Sequence, residues 1–382
     1  MMIIAIDGYE ANSDERVGIG RFAYEIIWGL NRLLVRQSDP EIKVTVYLPG
    51  PALSDLPPSS QAWQYLIVGP KPLWTFIGLP LAIRSARPKP DIIFSPTHYV
   101  PRFTRQAKVV SIMDLSYLHF PQMFHAKDLY QLRVWTAYSV KVAKKIFTIS
   151  QASKNDILKS YRIKPEKVKV VYPGLTMNKD LSTENSVVKK YQLPKNYILT
   201  VGTIQPRKNF VRLIEAFSRL PNGLISQYPG LTLVIVGKRG WLYEEIIAAP
   251  KKYGVDGRVK FLDYVPDNDL PPLYKNAVCF ALPSLYEGFG LPVLEAMSCG
   301  CPVLVSKTSS LPEIAGKAGV YVEPEDIQSI TSGLVKVIEE KTKPEGEQRI
   351  KFGLAQAKEF TWEKAAKQVL KTLEEVANQE KL

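Results

Sequence analysis

Short β-rich runs alternate with helical stretches along nearly the whole chain, and the alternation runs through twice. In the first half, strands are expected at residues 3–7, 43–48, 63–68, 91–95, 108–113, 145–149 and 168–171, and helices at 20–36, 75–85, 127–143 and 153–160. The polar stretch 174–186, with Asn178, Asp180, Ser182, Thr183 and Asn185, reads as a linker. A second set follows, with strands at 197–202, 231–236, 259–262, 278–282, 302–306 and 319–322. Its helices are expected at 209–220, 242–249, 269–275, 292–298, 327–339 and 345–358. Strands joined through helices run parallel and are covered on both faces. The expected fold class is therefore α/β: two doubly wound Rossmann-like domains facing each other across a cleft.

Composition narrows the setting. The 382 residues are 46% hydrophobic and 23% charged, a globular composition long enough for two domains. No apolar run approaches the ~20 residues of a membrane span. The opening Met-Met-Ile-Ile-Ala-Ile-Asp lacks a basic flank and a cleavage site, so it reads as a first strand rather than a signal peptide. Cys279, Cys299 and Cys301 cannot make an even disulfide framework, which suits a reducing cytoplasm. The charge of +13 is uneven: residues 1–180 carry 24 Lys and Arg against 14 Asp and Glu, and residues 181–382 carry 26 against 23. A basic first half suits an anionic membrane surface, a pyrophosphate-linked acceptor or a merely soluble surface. No segment has the form of a nucleic-acid module, so nucleic acid is not an expected partner.

The stretch from Ser284 to Gly300 carries the densest chemistry: Ser-Leu-Tyr-Glu-Gly-Phe-Gly-Leu-Pro-Val-Leu-Glu-Ala-Met-Ser-Cys-Gly. A buried strand leads into it. Gly288 and Gly290 flank Phe289, so backbone there can approach a ligand closely. Pro292 opens a helix whose N-terminus makes an anion site. Glu287 and Glu295 bracket the loop with seven residues between them. On spacing alone, Glu295 complements a helix dipole or accepts ribose hydroxyls, and Glu287 is solvated or catalytic.

These residues resemble the Glu-x7-Glu signature of the retaining glycosyltransferases of family 4, which have the GT-B fold. The resemblance extends along the chain. Gly202-Thr-Ile-Gln-Pro-Arg-Lys-Asn209 is similar to the family's Pro-Arg-Lys-Asn motif, which implies that Arg207 and Lys208 hold the donor diphosphate and stabilise the charge that builds on it. Val17-Gly-Ile-Gly-Arg-Phe22 resembles Gly-Ile-Gly-Arg-Tyr, which implies that Gly18 and Gly20 meet the donor from the first domain. Where many members have His-Asp-Leu, this chain has Met113-Asp114-Leu115, so a polar contact to the donor sugar is lost at Met113 while Asp114 remains. His98 is the histidine best placed to face the cleft, with a structural or an acceptor-side role. The resemblance also implies that the final helix crosses back onto the first domain. The expected division is thus residues 1–180 for the acceptor, 187–360 for the donor, and 361–382 as the returning helix.

Other features carry less. Asp267-Asn-Asp269 has the form of a metal-binding triplet but precedes a helical run, so Asp269 reads as an N-cap. The loops at 237–239 and 264–266 are expected to border the nucleobase. Residues 131–145 mix Leu132, Trp135, Tyr138 and Val142 with basic residues, which suits either a membrane-surface helix or an ordinary helix with its aromatic face in the core.

The expected function is hexose transfer from a nucleoside-diphosphate sugar, with GDP-mannose first and UDP-sugars next, to a glycan or lipid-linked acceptor. Catalysis is assigned to Glu287, Arg207 and Lys208, and donor binding to Gly18, Gly20, Met113, Asp114, Gly288, Phe289, Gly290, Leu291 and Glu295. No cofactor and no metal are expected. The expected location is the cytoplasm, on the inner face of the membrane. A nucleotide-sugar epimerase and a non-catalytic nucleotide-sugar binder are the competing classes.

Overall fold

The structure is a computed structural model that describes residues 1–16, 18–37, 41–176 and 184–379. It divides into two compact units, Met1–Gly174 with Thr361–Leu382, and Leu175–Phe360. The first unit holds strands β1 (Met2–Asp7), β2 (Ile42–Leu48), β3 (Trp63–Ile67), β4 (Ile92–Ser95), β5 (Ala107–Ser111), β6 (Lys145–Thr148) and β7 (Val168–Val170). They form one parallel sheet in the order β3-β2-β1-β4-β5-β6-β7. The second unit holds β8 (Tyr197–Val201), β9 (Thr232–Val236), β10 (Val259–Leu262), β11 (Cys279–Leu282), β12 (Val303–Ser306) and β13 (Gly319–Val322), in the parallel order β10-β9-β8-β11-β12-β13.

Burial explains the sequence pattern. Strands β4, β5, β11 and β12 are buried at every position, as parallel strands covered on both faces must be, and they read as largely apolar runs, with Lys108 inside β5 donating to the Thr104 and Gln106 carbonyls. The outer strand β3 is mostly exposed beyond Trp63. Local signals set several helix starts. Ser150 caps helix Gln151–Tyr161 by accepting the Ser153 N–H, and Asp326 caps helix Ile327–Glu340 by accepting the Gln328 N–H.

The chain returns to the first unit after Phe360. Helix Trp362–Gln379 buries Ala365, Ala366, Val369, Leu370, Leu373 and Val376 in the same apolar cluster as Phe22, Ile26 and Leu30 of helix Ile19–Gln37. The Trp362 ring meets Phe22 edge-on at 5.9 Å, and Lys169 donates to Thr372 at 2.8 Å. In the second unit, helix Pro344–Glu359 ends at Glu359.

Two sequence expectations change, and one open alternative is decided. The linker expected at 174–186 is shorter at its far end, because Glu184–Lys190 is helical; its residues 177–183 lie outside the described residues. The helix expected from 75 begins at Gly78, after a turn in which Leu73 takes a left-handed conformation. Of the two readings of 131–145, the ordinary helix with its aromatic face in the core is the one observed. Leu132, Tyr138 and Val142 pack against the core around Tyr117 and Val140, and Trp135 packs on Phe76 and Tyr99 at 4.8 and 5.3 Å.

Candidate active site

In the second sheet β8 and β11 are neighbours, and the strand order reverses between them. Loops leaving the carboxyl ends of two such strands diverge and leave a crevice where open α/β sheets bind ligands. Here those loops are 202–209 and 283–290, the two motif-bearing stretches. Pro206–Lys208 forms a single 3-10 turn, and Asn209 takes a left-handed conformation (φ 62°) before helix Phe210–Ser218 starts. Arg207 and Lys208 therefore sit one turn ahead of the helix rather than in it. The Asn209 amide donates to the Pro283 and Pro324 carbonyls at 2.8 and 2.6 Å, and Leu285 N–H donates to the Arg207 carbonyl at 2.9 Å. These bonds lock the two loops together.

Glu287 is the centre of this arrangement. It is buried, and its Oε1 accepts from Lys208 Nζ and from Ser284 Oγ, each at 2.7 Å. Its Oε2 accepts from the Arg207 guanidinium at 3.1 Å. Lys208 is itself buried, and Arg207 also donates to the Tyr286 carbonyl. Burial alone would raise the Glu287 carboxyl. The Lys208 and Arg207 charges and the Lys208 and Ser284 hydrogen bonds together outweigh it and hold the group down at about 2. Glu287 is thus ionised at neutral pH, and its oxygens are engaged. It positions two cations; it is poorly suited to attack a sugar or to carry a proton. With one anion between two cations, the cluster keeps a net positive charge.

The backbone around Glu287 is held by residues that the sequence motifs do not announce. Ser309 Oγ accepts the Glu287 N–H at 2.9 Å, and Ser310 Oγ lies 2.9 and 2.8 Å from the Glu287 and Phe289 carbonyls. The only local hint is a Ser-Ser pair ahead of a short helix, Leu311–Ala315. Gly288, Phe289 and Gly290 are buried. Phe289 packs its ring edge-on against Phe360 at 5.7 Å. Gly290 caps helix Leu291–Ser298 at φ 103°, and a Cβ there would stand 2.7 Å from Leu311. Pro292 is in the first turn, as expected.

Glu295 lies on that helix, half-buried, and accepts from the Tyr274 hydroxyl at 2.8 Å. Tyr274 is buried, and burial together with the Glu295 charge pushes its hydroxyl well above its usual range. It therefore stays a donor and orients the carboxylate. Nothing in its sequence spacing marks that role.

The first unit has its own reversal of strand order, between β1 and β4. The loops there carry Gly18, exposed at φ 51°, and His98. Gly20 is buried in helix Ile19–Gln37, and a Cβ on it would lie 3.1 Å from the Glu10 carbonyl. Asp7, at the end of β1, is buried and accepts from Tyr9 N–H and Trp74 Nε1; burial pushes its carboxyl up to about 6. Met113 buries its thioether in the core beneath β1 and β4. Its N–H donates to His98 Nε2 at 3.0 Å, so the imidazole proton sits on Nδ1. Burial pushes His98 down to about 4, against the pull of Asp114, and Nδ1 has no partner among the described residues. An imidazole thus stands beside position 113, supplied from the next strand. Asp114 turns back to accept the Ser116 N–H.

Asp269 does not cap its helix with its side chain. Lys190 and Tyr191 each donate to the same carboxylate oxygen at 2.7 Å, and these bonds hold the carboxyl below its usual range. Among the described residues no group of three or more potential ligands is placed to hold a metal. Lys238 lies over the Tyr264 ring at 5.0 Å, joining the two loops expected to border a base.

Residues 18–179 match Glycosyltransferase Family 4, and residues 182–358 match Glycosyl transferases group 1. The chain is 35% identical over 289 residues to the O-antigen chain mannosyltransferase B of Escherichia coli, covering 74% of each. It is 35% identical over 228 residues to the serotype-specific mannosyltransferase WbdA of the same species, spanning 58% of this chain and 27% of that longer one. Among solved structures, Anabaena HepE in complex with UDP superposes with a TM-score of 0.71 at 21% identity, over 98% of this chain and 100% of that one. A sucrose-phosphate synthase from Thermosynechococcus elongatus gives 0.73 at 16%, over 98% and 99%. With two parallel α/β units, paired motif loops and a mannosyltransferase relative aligned over three quarters of its length, the chain belongs to the family 4, group 1 glycosyltransferases of GT-B fold.

Proposed function

We propose that this glycosyltransferase transfers mannose from GDP-mannose, with retention of configuration, to a hydroxyl of an O-antigen-type glycan carried on a lipid. It would work without a metal, in the cytoplasm, at the inner face of the membrane. The observation that carries the reading is the Glu287 bridge. Two cations, Arg207 and Lys208, are fixed on one ionised carboxylate at the switch point of the second sheet. A net positive charge held before the reaction, close to the start of a helix, favours a diphosphate and more so the departing diphosphate, on which charge builds. Glu295, oriented by Tyr274, is suited to a pair of ribose hydroxyls.

The engaged state of Glu287 bears on mechanism. A carboxylate that is this acidic and already bonded at both oxygens does not form a glycosyl ester. Retention is then best served by front-face displacement: the sugar–phosphate bond breaks first, and the leaving phosphate oxygen takes the proton of the incoming hydroxyl on the same face. The mannosyltransferase names of the relatives support the sugar. A UDP-sugar is the second reading, favoured by the UDP held in HepE. In the test, Arg207→Ala and Lys208→Ala should each lower kcat with GDP-mannose in protein that circular dichroism shows to be folded, Lys208→Ala losing stability as well because it leaves the buried Glu287 with one cation fewer. Wild-type kcat in both variants would place the diphosphate elsewhere.

A further inference from the structure

Two carboxylates at the switch point of the first unit take no part in the chemistry above. Asp7 ends β1 beside the end of β4, and only 3% of it is exposed. The Tyr9 N–H and the Trp74 indole both donate to its Oδ1, at 3.1 and 2.9 Å, while its Oδ2 has no hydrogen-bond partner among the described residues. Glu10 is exposed in the loop that follows, and its carboxylate has neither a hydrogen bond nor an ion pair among the described residues. The Glu10 charge helps raise the Asp7, Tyr9 and Tyr99 groups, so it stands among all three. Cations are at hand but engaged elsewhere. Arg16 pairs with Asp55 and donates to the Ala11 carbonyl, and Lys71 lies over the Tyr9 ring at 5.8 Å.

Burial without a compensating cation pushes Asp7 up to about 6, so ionising it at neutral pH works against folding. A charge kept at a cost to stability, at the end of a sheet where α/β folds take ligands, marks a binding role. A second observation agrees. Ser95 Oγ at the end of β4, Ser111 Oγ at the end of β5 and His98 Nδ1 just beyond β4 are all buried without a partner among the described residues. Buried polar groups are nearly always bonded, so three such groups on adjoining strand ends point to a polar ligand there. Its chemistry follows from its neighbours. Unpaired carboxylates accept hydrogen bonds from hydroxyls and repel anions. Tyr9 packs on Trp74 at 5.8 Å and Tyr99 on Trp135 at 5.3 Å, which adds aromatic surface for the C–H faces of a ring.

We propose that Asp7 and Glu10 make the enzyme selective for an uncharged acceptor sugar, accepting hydrogen bonds from its hydroxyls and repelling acidic rings. A sugar phosphate or a uronic acid is thereby excluded from this position, although residues 1–180 carry 24 Lys and Arg against 14 Asp and Glu. The inference names the chemistry of the acceptor's end and rests on the glycan-acceptor reading above. It leaves the donor open, so the two fail separately.

The experiment compares aryl mannosides and aryl N-acetylglucosaminides with their 6-phosphate and 6-carboxylate analogues as acceptors of the full chain. It uses whichever nucleotide sugar the wild type turns over, so a wrong donor shows itself apart from a wrong acceptor site. Saturation-transfer NMR of the GDP-bound enzyme reads the same ranking without turnover. The wild type should favour the neutral glycosides by at least about tenfold in kcat/KM. Asp7→Asn and Glu10→Gln should each raise the KM for the neutral acceptor by about tenfold, with a smaller change in kcat, and should narrow the discrimination against the anionic ones. GDP affinity by calorimetry should stay at the wild-type value. Asp7→Asn keeps the Oδ1 bonds and removes a charge that burial disfavours, so its Tm at pH 7 should equal or exceed that of the wild type. Equal use of neutral and anionic acceptors would overturn the inference, as would an unchanged acceptor KM in both variants. A lower Tm for Asp7→Asn would make Asp7 structural, and a loss of GDP affinity would place the carboxylates on the donor; either result overturns it.

Discussion

Replacing Glu287 by Gln keeps its shape and removes its charge. The carboxyl is held at about 2 against an ordinary 4.5, and each pKa unit is ~1.4 kcal/mol, so the ionised form contributes about 3 kcal/mol at neutral pH. Breaking a buried ion pair by removing one partner costs about 3–5 kcal/mol, which agrees. The folded-state value is depressed, so the contribution is complete above about pH 5 and is lost as pH falls toward 2. The stability difference between wild type and Glu287→Gln should therefore be flat from about pH 8 to pH 5, then shrink to about 1.4 kcal/mol near pH 3. Urea unfolding of the two proteins at matched pH, followed through a signal from the second unit, reads this directly. The variant should also lose kcat more than it raises KM, because Arg207 and Lys208 remain but are no longer fixed. A difference that is zero at pH 7, or that does not change down to pH 3, would refute the bridge as the origin of the depressed value.

Two further outcomes follow from the same geometry. Glu295→Ala should weaken nucleoside-diphosphate binding by about 1.5–3 kcal/mol in calorimetry, and Tyr274→Phe by less, since it removes only the bond that orients the carboxylate. Transfer should survive EDTA, because fixed cations already supply positive potential. Full loss on chelation, restored by Mn²⁺ or Mg²⁺, would mean that the diphosphate is held through a metal.

Much of the fold was legible because parallel strands buried on both faces leave short, largely apolar runs. Every expected strand appears, with ends displaced by a residue or two. What escaped were elements too short to leave a period, such as helices Ser116–His119 and Leu311–Ala315. The motif residues of the second unit were legible because a tight loop and a helix start restrict which residues can stand there. Their partners were not. Ser309, Ser310 and Tyr274 reach Glu287 and Glu295 from elements distant in sequence, and no local spacing encodes such contacts. At Trp135 and Tyr138 two readings stayed open. A helix with mixed aromatic and basic residues has no clear apolar stripe, so periodicity cannot say which face is buried. Packing against Phe76 and Arg102 decided it. At position 113 the sequence showed only a thioether, whereas the fold brings His98 to the same backbone.

The central claim is mannosyl transfer with retention, and the configuration of the product tests it most directly. Purified enzyme, GDP-α-mannose and a glycan acceptor should yield a new glycoside whose one-bond C1–H1 coupling in NMR is that of an α-mannoside. A β-mannoside would contradict front-face displacement, and the absence of transfer from GDP-mannose alongside transfer from a UDP-sugar would contradict the donor.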